Sequence, residues 1–266
     1  MKFPTLVLLL ACAGILAAQD KVSVPLSSPG QPVTIKASLI SGSITVNAGA
    51  GNEVSVQSTS TSSRRHDRDN APAGMKRIGG GNADLDVEED HNVVTIRAGR
   101  FGLGADLIIT APANTSVQLK SINSGHIDVT GLNGDLDVHM TNGPVTLKNV
   151  SGSVVAHSLN GAVTVSLDKI TAGKPMSFTS LNGRIEVTLP SDTKARLRLK
   201  TDNGTAYSDF DVKMDADSSK PVLENSSSGK GKYKIRIDRS IYGSINGGGP
   251  EFLFQTMNGD ILIHKK

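Results

Sequence analysis

One short unit recurs through most of this chain: Asn or Ser, then Gly, then apolar residues two and four positions after the glycine. Ser41-Gly42 precedes Ile44 and Val46, Ser124-Gly125 precedes Ile127 and Val129, and Asn133-Gly134 precedes Leu136 and Val138. Asn142-Gly143 leads to Val145 and Leu147, Ser151-Gly152 to Val154 and Ala156, and Asn160-Gly161 to Val163 and Val165. Asn182-Gly183 with Ile185 and Val187, and Asn258-Gly259 with Ile261 and Ile263, complete the set. Apolar residues at every second position describe a strand with one buried face. Glycine behind Asn or Ser supplies the positive φ of a tight turn, so Gly125, Gly134, Gly143, Gly152, Gly161, Gly183 and Gly259 are the expected structural turns.

Spacing narrows the architecture. Glycines 125, 143, 161, 183 and 204 follow one another at intervals of 18, 18, 22 and 21 residues, with Gly134 and Gly152 midway in the first two. One coil per 18–22 residues fits a parallel β-solenoid whose strands stack in register on the previous coil. An antiparallel β meander is the alternative, with Asn142-Gly143 closing a hairpin that sets Met140 against Val145 and Val138 against Leu147. The longer intervals keep the coil length after losing the half-way glycine, which a meander has no need to do, so the solenoid is favoured. Ile127, Val129, Val145, Leu147, Val163 and Val165 then line one buried face, with Asp128, Thr146 and Thr164 in the solvent.

Composition agrees with an all-β chain. Gly reaches 28 of 266 residues, Trp is absent and aromatic residues make up 3%, which suits a narrow aliphatic core that needs no aromatic filling. A formal charge of +3 is too small to draw the chain onto nucleic acid or anionic lipid.

The N-terminus carries an export signal. Lys2 precedes an apolar run from Leu6 to Leu16, and Ala17-Ala18 then gives way to Gln19-Asp20. This pattern predicts a signal peptide over residues 1–18, cut between Ala18 and Gln19. The alternative is a lipoprotein signal, because Leu9-Leu10-Ala11-Cys12 is similar to a lipobox and would leave Cys12 lipidated at the mature N-terminus. Cleavage after Ala18 would leave no cysteine, and with it no disulfide, thiol chemistry or Cys-type zinc site. No later segment is apolar enough for a membrane span, so the expected location is the periplasm, the cell surface or the medium.

Residues 19–38 form an N-terminal segment and 39–266 the strand-repeat domain. Stretches such as Val33-Thr34-Ile35 and Val54-Ser55-Val56 flank the array as edge strands. Gln57 to Asn82 forms a polar loop ending at the Gly79-Gly80-Gly81 run, and Asp215 to Lys232 a second excursion.

The segment Ala105-Asp106-Leu107-Ile108-Ile109-Thr110-Ala111-Pro112-Ala113-Asn114-Thr115-Ser116-Val117 resembles the bacterial putative-adhesin family of secreted β-strand-repeat proteins, a domain of unknown function. So do Asn182-Gly183-Arg184-Ile185-Glu186-Val187-Thr188-Leu189-Pro190 and Thr256-Met257-Asn258-Gly259-Asp260-Ile261-Leu262-Ile263. The resemblance covers Leu39 to His264. It implies a right-handed parallel β-helix or roll, export and a role at the cell surface, without naming an activity. Asn203-Gly204 departs from the pattern, since Ala206 and Ser208 replace the usual aliphatics, and its coil is expected to be irregular.

Chemical constellations are sparse. His139 and His157 lie 18 residues apart, one coil length, and could share a metal, but Ser121 and Pro175 occupy the next equivalent positions and leave two solvated turn histidines as the preferred reading. Asp128, Asp135 and Asp137 alternate outward, without the partial burial or charged neighbour that tunes a catalytic acid and without a Trp or Tyr platform for a sugar. Glu88-Glu89-Asp90-His91 suits a solvated turn. The glycine turns lack the Gly-Gly-x-Gly-x-Asp unit of calcium-binding rolls, and no Gly-x-Ser-x-Gly elbow, His-Glu-x-x-His helix or phosphate loop occurs. The expected protein is thus a non-enzymatic, adhesin-like surface or envelope binding module with no cofactor and no metal. Its expected partner is an envelope or extracellular protein or polysaccharide. The alternatives are a polysaccharide-acting β-helix enzyme and a polymerising envelope scaffold.

Overall fold

Apolar alternation from the first repeat to the last leaves the chain one way to bury its aliphatic side chains, by stacking strands face to face around a common core. The computed structural model describes residues 20–60, 85–98, 104–215, 222–228, 232–238 and 240–266, and every regular element among them is a β-strand. The Ala18/Gln19 cleavage site, Cys12 and residues 61–82 of the polar loop lie outside the described residues.

The repeats pair in parallel. Gly134 lies opposite Gly152 and His139 opposite His157, one coil apart. Val145 lies between Ile127 and Val163, again in parallel register. Asn142-Gly143 therefore turns a corner between two stacks of strands, and the hairpin of the meander is not made. One stack runs Val93–Ala98, Val33–Ser41, Thr115–Asn123, Asn133–Asn142, residues 151–160, Met176–Asn182, Glu251–Asn258 and Ala195–Asn203. The other runs Ala105–Pro112, Ile44–Gly49, Ile127–Thr130, residues 145–150, Val163–Ile170, Ile185–Leu189, Ile261–Lys265 and Ala206–Ser208. Antiparallel strands join three of the four stack ends, Leu85–Asp90 on Val93–Ala98, Glu53–Ser60 on Ala105–Pro112 and Ile241–Ile245 on Ala195–Asn203, while Ala206–Ser208 pairs only with Ile261–Lys265 among the described residues. The fold is all-β and solenoid-like, with mixed pairing.

Between the stacks lies one aliphatic core. Ile127, Val129, Val145, Leu147, Val163 and Val165 are buried, while Asp128, Thr146 and Thr164 remain partly exposed on the other face. Aromatic residues do enter this core, contrary to what the composition suggested. Phe178, Phe252 and Phe254 are fully buried, and the rings of Phe178 and Phe254 stack at 5.0 Å. Phe178 lies opposite Ala156 in the neighbouring strand, so the large ring fills the space that the small side chain leaves.

Chain order and spatial order differ at both ends. Val33–Ser41 and Ile44–Gly49 are not edge strands, since each is flanked on both sides, and Val54-Ser55-Val56 also lies between two strands. The first of these runs without a break through residues 38 and 39. At the other end the Gly259 coil inserts between those of Gly183 and Gly204, so Gly204 ends the stack. Its following strand, Ala206–Ser208, has only three residues. Gln57 to Ser60 belong to the strand Glu53–Ser60, so the polar loop starts later than its composition suggested. Within the second excursion, Val222–Ser228 pairs antiparallel with Lys232–Asp238 as a separate two-stranded sheet.

Of the seven expected turn glycines, Gly125, Gly143, Gly152 and Gly259 take the positive φ, at 128°, 147°, 126° and 154°. Gly134 and Gly152 lie inside strands, and Gly134, Gly161 and Gly183 do not take a left-handed φ. An ideal Cβ at Gly161 would sit 2.1 Å from the carbonyl oxygen of Gly143, and one at Gly183 2.1 Å from that of Gly161. At Gly134, Gly161 and Gly183 close approach of successive backbones demands the missing side chain, and at the other four it acts together with the turn conformation.

Candidate functional site

The corner that brings the glycines together also aligns the residues before them. In Ser158-Leu159-Asn160-Gly161 and its equivalents, strand alternation points the Ser inward, the middle residue outward and the Asn to the corner. Each inward hydroxyl donates to the glycine carbonyl of the neighbouring coil: Ser158 to Gly143 at 2.9 Å, Ser180 to Gly161 at 3.0 Å, Thr256 to Gly183 at 3.0 Å and Thr201 to Gly259 at 2.9 Å. These bonds satisfy a polar group that the core would otherwise strand. Met140 holds the equivalent place before Gly143 and has no hydroxyl to offer.

The asparagines form a continuous ladder along the outside of the corner. Asn142 Nδ2 donates to Asn123 Oδ1 at 3.3 Å, Asn160 to Asn142 at 2.8 Å, Asn182 to Asn160 at 2.8 Å, Asn258 to Asn182 at 2.6 Å and Asn203 to Asn258 at 2.8 Å. Each rung fixes the rotamer of the next, and its net contribution is about 0.5–1.5 kcal/mol. Ser41 and Ser124 continue the line through a hydroxyl pair at 3.0 Å.

Beside the ladder runs an exposed aliphatic column. By register Ile40, Ile122, Thr141, Leu159, Leu181 and Met257 stand side by side on successive strands, with Thr141 interrupting the aliphatic row and Asp202 following Met257 at its end. Ile40 is 49% exposed and Met257 45%, with Ile122 and Leu181 both at 37%. At about 4.8 Å per strand the column is about 24 Å long. On its other flank Asp86, Arg97, Ser38, Lys120, His139, His157, Thr179, Gln255 and Lys200 form a parallel line of mixed charge, with Asp86 3.7 Å from Arg97. An ordered amide row, a mainly aliphatic row and a row of mixed charge thus share one outer face.

Ladder and column escaped the sequence reading, although the signal was present. Asn preceded by Ser or Thr at the second position recurs at Thr201, Ser158, Ser180 and Thr256, with an aliphatic residue in the intervening exposed slot at Leu159, Leu181 and Met257.

His139 and His157 stand on strands, not in turns, with ring centroids 5.7 Å apart. Burial lowers the His157 pKa, and the charge of His139 adds to that. His157 Nδ1 lies 2.7 Å from Thr179 Oγ1, and His139 Nε2 2.8 Å from Asp137 Oδ1. Among the described residues, no three His, Cys, Asp or Glu side chains gather in a metal-binding group.

The outward aspartates do have charged neighbours, which corrects the expectation for them. Lys174 Nζ reaches Asp135 Oδ2 at 2.7 Å, and Ser153 Oγ donates to Asp135 Oδ1 at 2.6 Å; the lysine bond first, then the serine bond, hold this carboxyl below its usual range. Asp137 meets His139, and Asp128 lies 3.6 Å from His126 Nε2. Glu88 and Glu89 end a strand, and His91 and Asn92, at φ 50° and 61°, form the hairpin turn that follows. Glu89 is held low by bonds from the Ser27 hydroxyl and amide and from the Asn92 amide.

A cleft of about 770 Å³ opens at the opposite corner, lined by residues that include Asp168, Lys169, Asp192, Lys194 and Pro250. Asp168 is engaged by Lys266. No helix among the described residues is long and apolar enough to cross a membrane, which leaves strand-built barrels unaddressed.

A family model described as Toastrack DUF4097 matches residues 21–241. No curated protein matches the chain. Among solved structures the chain is similar to a putative cell adhesion protein from Clostridium sporogenes ATCC 15579, at 9% identity over 94% of this chain and 100% of that one, with a TM-score of 0.46. It is also similar to a putative adhesin from Bacteroides fragilis NCTC 9343, at 10% identity over 94% of this chain and 98% of that one, with a TM-score of 0.34.

Proposed function

The chain belongs to the Toastrack DUF4097 family, and on that premise we propose that it is an exported, non-enzymatic binding protein of the cell envelope or surface, whose coils wind right-handedly. The observation that carries this reading is the outer face on which the asparagine ladder and the mainly aliphatic column run together over five successive strands. A monomer has no need to hold an aliphatic row in water beside an ordered amide row, and such rows are what a partner recognises. Right-handed winding agrees with the handedness that twisted strands impose on parallel connections. Export rests on the Met1 to Ala18 pattern. A catalytic acid is poised by a pKa moved toward working pH, whereas Asp135 is pushed away from it.

Capture of envelope polymers and secreted proteins by the purified mature chain, compared with Leu181→Ser, tests the reading. Loss of capture in the variant, with unchanged circular dichroism, supports it, and undiminished capture refutes it. Mass spectrometry of the native protein is expected to find Gln19 at the N-terminus, or lipidated Cys12 in the lipoprotein alternative. An intact Met1 would remove the export claim.

A further inference from the structure

We propose that the Gly259 coil, Glu251–Asn258 with Ile261–Lys265, exchanges between two copies of this chain, each copy filling the slot of the other. Its place in the stack, its hinge and its contacts select a second copy as the partner.

Place comes first. The coil lies between Met176–Asn182 with Ile185–Leu189 on one side and Ala195–Asn203 with Ala206–Ser208 on the other, although those two coils follow one another in the chain. It therefore occupies a slot framed entirely by earlier residues. Gly183 and Gly204 are 21 residues apart, an ordinary coil length in this chain, and both meet Gly259. Register through the inserted coil sets Phe178 in line with Leu199 and Ile185 in line with Ala206. The framing coils can thus close on each other when it leaves, with Thr201 donating to the Gly183 carbonyl as Thr256 does in the inserted state. Withdrawal then costs one coil interface in place of two, because stability in such stacks is carried by nearest neighbours.

The hinge is second. Asn246, Gly247 and Gly248 take left-handed φ values of 49°, 88° and 84° in succession before Gly249 and Pro250. Asn246 Nδ2 donates to Ser191 O at 3.0 Å and to Thr193 O at 2.7 Å, and the Gly248 N–H to Ile245 O at 3.0 Å, which holds the segment bent. Beside it opens the cleft of about 770 Å³, lined by residues that include Gly248, Gly249 and Pro250, so the turn has room to straighten. Left-handed backbone at Asn246 is relieved when the segment extends.

Contacts are the third. Phe252, Phe254, Ile261 and Ile263 are buried, the Phe254 ring stacks on Phe178, and Asn258 donates to Asn182 while accepting from Asn203. A foreign segment would have to match rings, hydroxyl and amide in one register, which a second copy does by construction. Each of these contacts survives exchange, so hinge conformation and concentration set the balance. A short hinge holds its own coil at an effective concentration of about 1 mM, and a second copy competes near that value.

The test uses the full mature chain, residues 19–266, which holds no cysteine. One copy carries Thr179→Cys and a differently tagged copy Gln255→Cys, two positions in register across one wall of the slot. After mixing at about 1 mM in sub-denaturing urea, then dilution and oxidation, disulfides between unlike copies are expected to exceed those between like copies at least about ten-fold. Comparable yields of like and unlike pairs, the mark of random collision between exposed thiols, overturn the proposal. In Gly247→Ala the added Cβ meets nothing within 4 Å, so the change disfavours only the left-handed turn. Because each dimer opens two hinges, sedimentation velocity is expected to find half-exchange at a concentration at least about ten-fold lower than in the wild type. Joining Thr179→Cys to Gln255→Cys within one monomer before concentration is expected to abolish the dimer. A dimer that persists in the joined variant overturns the proposal, and so do a wild type and a Gly247→Ala variant that both stay monomeric to about 1 mM.

Discussion

Replacing Gly161 with Ala tests the claim that the corner glycines serve close approach. A Cβ at Gly161 would lie 2.1 Å from the Gly143 carbonyl oxygen and 2.4 Å from its carbon, both backbone atoms that cannot swing aside. Relief requires the two coils to part by about 1 Å there. Four bonds cross that gap: Gly143 N–H to Asn160 O at 3.0 Å, Val145 N–H to Ala162 O at 2.9 Å, Ser158 Oγ to Gly143 O at 2.9 Å and Asn160 Nδ2 to Asn142 Oδ1 at 2.8 Å. Stretched by that amount they exceed hydrogen-bonding range, and at about 0.5–1.5 kcal/mol each the loss is about 2–6 kcal/mol. Gly173 is the matched control, with φ at +77° and nothing within 4 Å of the place a Cβ would take. Gly173→Ala meets only left-handed strain, about 1–2 kcal/mol. Urea denaturation of both variants, with m-values compared to confirm that the same surface unfolds, reads the two costs. Equal losses, or a larger loss at Gly173, would refute close approach as the reason for glycine at position 161.

Three further outcomes follow from the same geometry. Val145→Asp places a charge at a fully buried position between Ile127 and Val163 and is expected to cost several kcal/mol, whereas Thr146→Asp, outward beside Asp128, should cost under about 1 kcal/mol; equal shifts in melting temperature would show the inward assignment to be wrong. Asn160→Ala removes one rung bond above and one below, and a loss of about 1–3 kcal/mol in chemical denaturation is expected; a neutral result would mean that the ladder orders the surface without stabilising the fold. Because burial lowers the His157 pKa, the unfolded chain binds a proton that the folded chain resists, so stability is full above about pH 6.5 and falls as pH drops through the unfolded value toward the folded one. His157→Gln should flatten that slope, with Lys120, His139 and Asp137 left in place beside it, while Asp135, held low by Lys174 and Ser153, adds a separate loss only in acid, below its unfolded pKa of about 3.9. A wild-type slope retained in His157→Gln would assign it to another group.

Alternation and spacing by themselves determined that Val145 and Val163 face inward, that Thr146 and Thr164 face outward, and that neighbouring coils lie 18 residues apart around Gly143. These are local consequences: a period of two sets the face, and a constant coil length sets the register whatever the rest of the chain does. Which coil neighbours which was decided in three dimensions. Gly42 meets Gly125 across 83 residues, and Gly259 slips between Gly183 and Gly204, because any coil ending in the same corner can stack on any other and only the total burial chooses among them. The reason for glycine was likewise invisible in one dimension, since a turn and a close approach demand the same residue. The outer face followed the same division. Asn recurred visibly at many corners, but a ladder of amides, and the aliphatic row beside it, exist only once the coils bring residues such as Asn182 and Asn258 within hydrogen-bonding distance across 76 positions of chain.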